Sequence, residues 1–229
     1  MLAARIDRQP AEEKALVQTL AVLGRGFSFG LLKRVMAQPE QELYRLLSQL
    51  QGGKFIHEQA TFPESSYTFK HALTQEVAYN SLLPEQRRTL HERTAHAIEE
   101  ILHDRPEEHY SELAPHYRRS GNTMKAAVYL QLAGRQAVQQ SAYAEAIGHV
   151  NTALELLRTL PDTVERREQE LTLQITLGPA LMATNGFGAS EVEAAFTRAR
   201  ELSQQVGDTP QLYMVLQGLS GFYALRVKC

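Results

Sequence analysis

The sequence has a single cysteine, and it is the last residue, Cys229. A disulfide framework and a thiolate metal site are therefore excluded. Long hydrophobic runs are missing too, so the sequence offers nothing to span a bilayer. The first residues, MLAARIDRQP, lack an apolar core of signal-peptide length. Neither sign of charge dominates: the net charge is -2, and composition implies no basic surface for nucleic acid. The phosphate-binding pattern G-x-x-x-x-G-K-[ST] does not occur. Gly53-Lys54 is followed by Phe55, and Ser48 stands where the first glycine is needed. The expectation from these absences is a cytoplasmic chain without its own nucleotide-hydrolysing loop.

With 229 residues, 43% of them hydrophobic, the chain has enough material for one large or two small packed domains. Pro10 opens a first helix with Glu12 and Glu13 in its first turn, and Gly24 closes it. Ser28 can cap a second helix carrying Leu31, Leu32, Val35 and Met36. A third begins near Pro39, with Leu43, Leu46, Leu47 and Leu50 on one stripe and Gly52-Gly53 at its end. Residues 54–58 and 67–70 then read as two strands around a Pro/Ser-rich loop. Three helices followed by a hairpin is the winged-helix order, which predicts a winged-helix domain over residues 1–83.

That order allows DNA binding through the third helix. Its solvent positions are Glu40, Gln41, Glu42, Arg45, Ser48 and Gln49, and one arginine beside two acids is a poor phosphate-facing surface. A transcription regulator is therefore the second reading.

His71 follows the second strand and stands at the start of a helix whose apolar positions are Leu73, Val77 and Ala78. Pro84 starts a connecting helix over residues 84–106, with Leu90, Thr94, Ala97, Ile98, Ile101 and Leu102 on one face and a basic exposed face of Arg87, Arg88, His91 and Arg93. His91 and His96 are five apart, not the four that a zinc-protease helix needs, and no metal site is expected there. His103, His109 and His116 show no converging spacing. No Ser-His-Asp set and no carboxylate pair follows from linear spacing, so no residue is assigned a catalytic role.

Residues 107–229 repeat a helical pattern. Leu113, Ala114 and Tyr117 precede Ala126, Leu130 and Ala133; then Ala133, Gly134 and Ala137 precede Ala146, Val150 and Ala153. A third pair sets Leu177, Gly178 and Leu181 before Val192, Phe196 and Ala199, with Pro179 expected to kink its first helix. These positions resemble the tetratricopeptide repeat, a helical hairpin of about 34 residues. The usual tryptophan and the repeat-ending proline at its usual place are missing. Gly134 falls where facing helices come closest. Tyr110, Tyr117, Tyr129 and Tyr143 either line a peptide groove or belong to the core, and core is the favoured reading. The final segment, Leu212 to Leu225, is one more apolar helix, and the array reads as truncated because such arrays normally end in a polar cap. The fold class expected for the whole is mainly α: three helices plus a hairpin, then an α-solenoid.

The order of these pieces resembles the region after the P-loop domain in signalling ATPases of the STAND type, which are often fused to class III adenylate/guanylate cyclases. The matching residues are Arg5-Ile6-Asp7, Val22-Leu23-Gly24-Arg25 with Phe27, Tyr67-Thr68-Phe69-Lys70-His71, Glu76-Val77-Ala78-Tyr79, Leu82-Leu83, Arg88 with Leu90-His91, His116-Tyr117 and Ala133-Gly134. The resemblance implies a non-catalytic regulatory module. Its winged helix would pack on a P-loop ATPase domain, and its helical repeats would serve as sensor or scaffold for a protein or peptide ligand. ATP or ADP would be bound by the parent protein rather than by this chain. The resemblance also gives His71 a role, contact with the phosphate of bound ADP. In the Met-His-Asp motif of related proteins the histidine has this place; here Lys70 replaces the methionine and Ala72 the aspartate. The other reading of His71 is a residue that caps or packs the strand–helix junction.

Overall fold

The computed structural model describes residues 2–60, 65–101, 110–207 and 220. Among them the chain is mainly helical, with eleven helices and one small antiparallel sheet. It divides into two compact units, Met1–Asp104 with Arg119–Gly121, and Arg105–Arg118 with Asn122–Cys229. No helix among the described residues is long and apolar enough to cross a membrane.

The N-terminal unit runs α1 (Leu2–Asp7), α2 (Ala11–Leu23), β1 (Gly26–Ser28), α3 (Phe29–Met36), α4 (Glu40–Gly52), β2 (Ile56–Gln59), β3 (Ser66–Phe69), α5 (Ala72–Asn80) and α6 (Pro84–Ile101). Helix α2 ends at Gly24, whose φ of +134° is open to a residue without a Cβ. The Ser28 hydroxyl accepts from the Leu31 N–H and starts α3 as expected. The α4 stripe of Leu43, Leu46, Leu47 and Leu50 is buried.

The sheet corrects the expectation of two strands. Its order is β1-β3-β2, with Phe27 opposite Tyr67 and Ile56 opposite Phe69. β1 is three residues long, too short for a period of two to show in the sequence. It is held by ring contacts: Phe27 stacks on Tyr67 at 6.0 Å and meets Phe69 edge-on at 6.5 Å. Tyr67 and Phe69 point into the core, where Leu16, Leu20, Leu32 and the α4 leucines surround them. Burial pushes the Tyr67 phenol up to about 12, with the Glu58 carboxylate adding to the shift.

Two surface expectations are also corrected. His91 does not belong to an exposed basic face: it is buried, and its Nε2 lies 3.0 Å from the Tyr79 hydroxyl. Arg87 folds over the Tyr79 ring at 4.8 Å and donates to the Asn80 carbonyl at 3.0 Å. Leu73 in turn is not on the buried stripe of α5. It is 55% exposed, because the face of α5 turned inward is that of Thr74 and Ala78.

The C-terminal unit consists of α7 (Tyr110–Ser120), α8 (Thr123–Gln139), α9 (Tyr143–Arg158), α10 (Val164–Asn185) and α11 (Ser190–Val206). Asn122 Oδ1 caps α8 by accepting from the Lys125 N–H at 3.1 Å, and Thr163 caps α10 in the same way. Each helix from α8 onward packs on the next, and α10 also reaches α8. Small residues set the approach. A Cβ added at Gly134 would lie 2.9 Å from Val150, and one added at Gly178 would lie 2.3 Å from the Phe196 ring. The paired positions read from the sequence therefore do face one another. Their spacing departs from the expected period: Gly134 and Gly178 are 44 residues apart, not about 34. Pro179 does not divide α10, which runs as one helix from Val164 to Asn185.

Glu170 ties α10 to α11: it is nearly buried and accepts from Arg198 Nε at 2.7 Å, with Arg166 within 3.4 Å on its other side. The hydrogen bond to Glu170 raises the Arg198 guanidinium above its ordinary value. Apart from Ser220, the segment Leu212 to Leu225 lies outside the described residues, as do His103 and His109.

Candidate functional site

The tip of α5 carries the one residue that the sequence assigned a binding role. Phe69 closes β3, and the Lys70 N–H donates to the Phe55 carbonyl at 3.0 Å, so the chain leaves the sheet in a fixed direction. His71 follows in extended conformation, φ −136° and ψ 132°, as the residue before the helix. Its carbonyl accepts from the Thr74 N–H at 2.9 Å. Its imidazole makes no capping hydrogen bond and is exposed. The reading of His71 as a helix cap thus has no side-chain hydrogen bond behind it.

Lys70, Ala72 and Leu73 are exposed alongside it. The first N–H groups of any helix lack intrahelical acceptors and carry the positive end of its dipole. The α5 tip thus combines an imidazole donor, open N–H groups and a lysine, bordered by an apolar leucine. An anionic oxygen suits the first three and an apolar surface suits the fourth. The base of α5 is held firmly: Gln75 donates to the Ala21 carbonyl of α2 at 3.2 Å, and Ala78 is fully buried.

The α4 surface is electrically closed. Arg45 binds the Glu12 carboxylate at 2.8 Å and also pairs with Glu42. Its hydrogen bond holds the Glu42 carboxyl below the usual range, against an opposing effect of desolvation. Lys33 of α3 pairs with Glu40. The single cation on the third helix and Lys33 beside it are thereby paired.

In the C-terminal unit the tyrosines divide. Tyr117 is fully buried and stacks on Tyr129 at 5.5 Å, and Lys125 Nζ reaches the Tyr117 hydroxyl at 3.0 Å. Tyr110 packs against Tyr129 at 6.2 Å, yet it also borders a hollow of about 230 Å³ with Leu132, Arg135 and Gln136 of α8. Arg135 borders a second hollow, of about 350 Å³, between α8 and α10. Gln131, Val138, Ile175 and Pro179 line it. Sequence reasoning missed this pair of hollows. The available signal was Gln131 and Arg135, polar residues one turn apart on α8.

His91 and His96 do not converge: one is buried against Tyr79, and the other is exposed 3.2 Å from Glu99. No group of three His, Cys, Asp or Glu side chains that could hold a metal ion occurs among the described residues.

No protein-family model matches the chain, and no solved structure matches it. Among curated proteins it is similar to an uncharacterized protein of Rhizobium meliloti (strain 1021), 28% identical over 141 residues. That stretch is 62% of this chain and 14% of the other protein, so the chain spans a small part of the relative it matches.

Proposed function

We propose that the chain is a non-catalytic regulatory and protein-interaction module of a signalling ATPase, of the kind often fused to a class III cyclase. The N-terminal unit acts as a winged helix that packs on a P-loop ATPase domain supplied outside these residues, and the helices of the C-terminal unit act as a tetratricopeptide-like sensor or scaffold. The helix-strand-helix-helix-hairpin order, with β1 completing the sheet on β3, supports the winged-helix reading. One observation carries the function: an imidazole, open helix N–H groups and an exposed leucine stand together at the α5 tip with no partner in their own unit. The module needs no cofactor of its own. ADP held by the ATPase domain would receive the His71 hydrogen bond at a phosphate oxygen. Loss of that contact on nucleotide exchange would release the module, a two-state switch biased by ligand.

The DNA-binding alternative is weakened by the pairing of Arg45 with Glu12 and Glu42, which leaves α4 little charge for phosphates.

The test is calorimetric titration of this chain with the P-loop ATPase domain of the same gene product, beside a mobility-shift series on mixed duplex DNA. A one-to-one complex is expected, weakened at least tenfold by Leu73→Glu, with no DNA shift at any salt. Absence of the complex, or DNA binding that falls steeply with salt, would overturn the proposal.

A further inference from the structure

Gln131 is the anomaly in the C-terminal unit. It is 8% exposed, it lines the α8–α10 hollow, and among the described residues its amide has no hydrogen-bond partner. Its amide atoms are not sealed from solvent, so both the donor and the acceptor are left to pair with a molecule bound in the hollow. One turn on, Arg135 is exposed and has no carboxylate within ion-pair reach among the described residues. Its neighbours along α8 and across on α10 are Val138, Ile175 and Pro179. Pro179 has no N–H to return to the Ile175 carbonyl, so that wall also holds a main-chain acceptor without its usual helical donor.

We infer that α8 and α10 form the binding site for an extended peptide segment bearing an acidic side chain next to an apolar one. Each group has a counterpart in such a ligand. The Gln131 amide offers a donor and an acceptor together, the pair that a peptide bond matches. Arg135 matches a carboxylate in a bidentate fork. Val138, Ile175 and Pro179 take the apolar side chain. The shape favours a chain over a compact molecule, since the two hollows adjoin through Arg135 and extend the surface to Tyr110. The inference rests on reading the C-terminal unit as a scaffold and is independent of the α5 tip.

The test uses fluorescein-labelled, acetylated and amidated decapeptide pools, randomised except at two central positions fixed as Glu-Leu, Gln-Leu or Lys-Leu. Anisotropy is followed on titration with the full chain. The Glu-Leu pool is expected to bind at least fivefold more tightly than the Gln-Leu pool. Arg135→Glu should transfer the preference to the Lys-Leu pool, and Arg135→Gln should abolish it. Gln131→Leu should weaken the Glu-Leu pool several-fold and leave the charge preference standing. Melting temperature serves as the folding control for each variant. Binding that ignores the central charge, or a preference that survives Arg135→Glu, would overturn the site alone. Failure of every pool to bind would overturn the scaffold reading with it.

Discussion

The two units bury their cores by opposite means. The N-terminal unit fills space with bulk: Phe55, Tyr67, Phe69 and the α4 leucines meet around a three-stranded sheet. The C-terminal unit buries leucines and Phe196 too, but its helices approach through missing bulk, with Gly134 beneath Val150 and Gly178 beneath the Phe196 ring. The first should be sensitive to what is taken away and the second to what is added. The difference extends to the surface: Lys33 and Arg45 of the first unit pair with carboxylates, while Arg135 on α8 of the second has none within ion-pair reach among the described residues.

The sharpest break of this contrast is Phe69→Ala. The side chain is 1% exposed at the centre of the sheet, and its loss should cost about 3–5 kcal/mol. Hydrogen exchange by mass spectrometry should show the loss in α2–β3 peptides and not in α8–α11 peptides. Protection lost equally in both sets would mean that the two cores are not separate.

In the other direction, Gly178→Leu should cost more than Gly134→Leu. The Phe196 ring presses closer to the first than Val150 does to the second. About 1–3 kcal/mol is expected at Gly134, and a larger loss at Gly178. Pairing Gly178→Ala with Phe196→Leu should recover part of what each costs alone, read as a coupling in a double-mutant cycle of melting free energies. Additive losses would show that the facing register is wrong.

A smaller effect separates the units by pH. The Tyr67 phenol is raised from its usual value near 10 to about 12, chiefly by burial. A folded pKa above the unfolded one gives stability that is fully present below pH 10 and is lost as pH rises toward 12. Denaturant melts of Tyr67→Phe should lose less stability than wild type across that window, with the change confined to α2–β3 peptides. Identical alkaline profiles would remove burial as the cause.

Much of this architecture was legible in the sequence because it rests on local chemistry. Pro10, Ser28, Pro39 and Asn122 mark helix starts whatever lies around them, and the leucine stripe of α4 shows its buried face by period alone. β1 was not legible, since three residues exist as a strand only through the pairing of Phe27 with Tyr67, a partner about forty positions away. His91 was misplaced for the same reason. Its neighbours Arg87, Arg88, Glu92 and Arg93 are charged, and its contact with Tyr79 of α5 is made only in the fold. At the α5 tip the place of His71 at a helix start was legible, while the exposure of Leu73 depended on which face of α5 meets α2. The Gln131–Arg135 groove was invisible because it is made by α8 and α10 across an intervening helix.

Nucleotide release tests the proposed role of the α5 tip most directly. Release of a fluorescent ADP analogue is timed by stopped flow from a protein joining this chain to the P-loop ATPase domain proposed to pack on it, as wild type and as His71→Ala. His71 is exposed and makes no capping bond, so the substitution should leave the melting temperature unchanged. Release at least fivefold faster in the variant, with higher basal output, is the expected result. Unchanged release together with earlier melting would contradict the account and make His71 a structural residue.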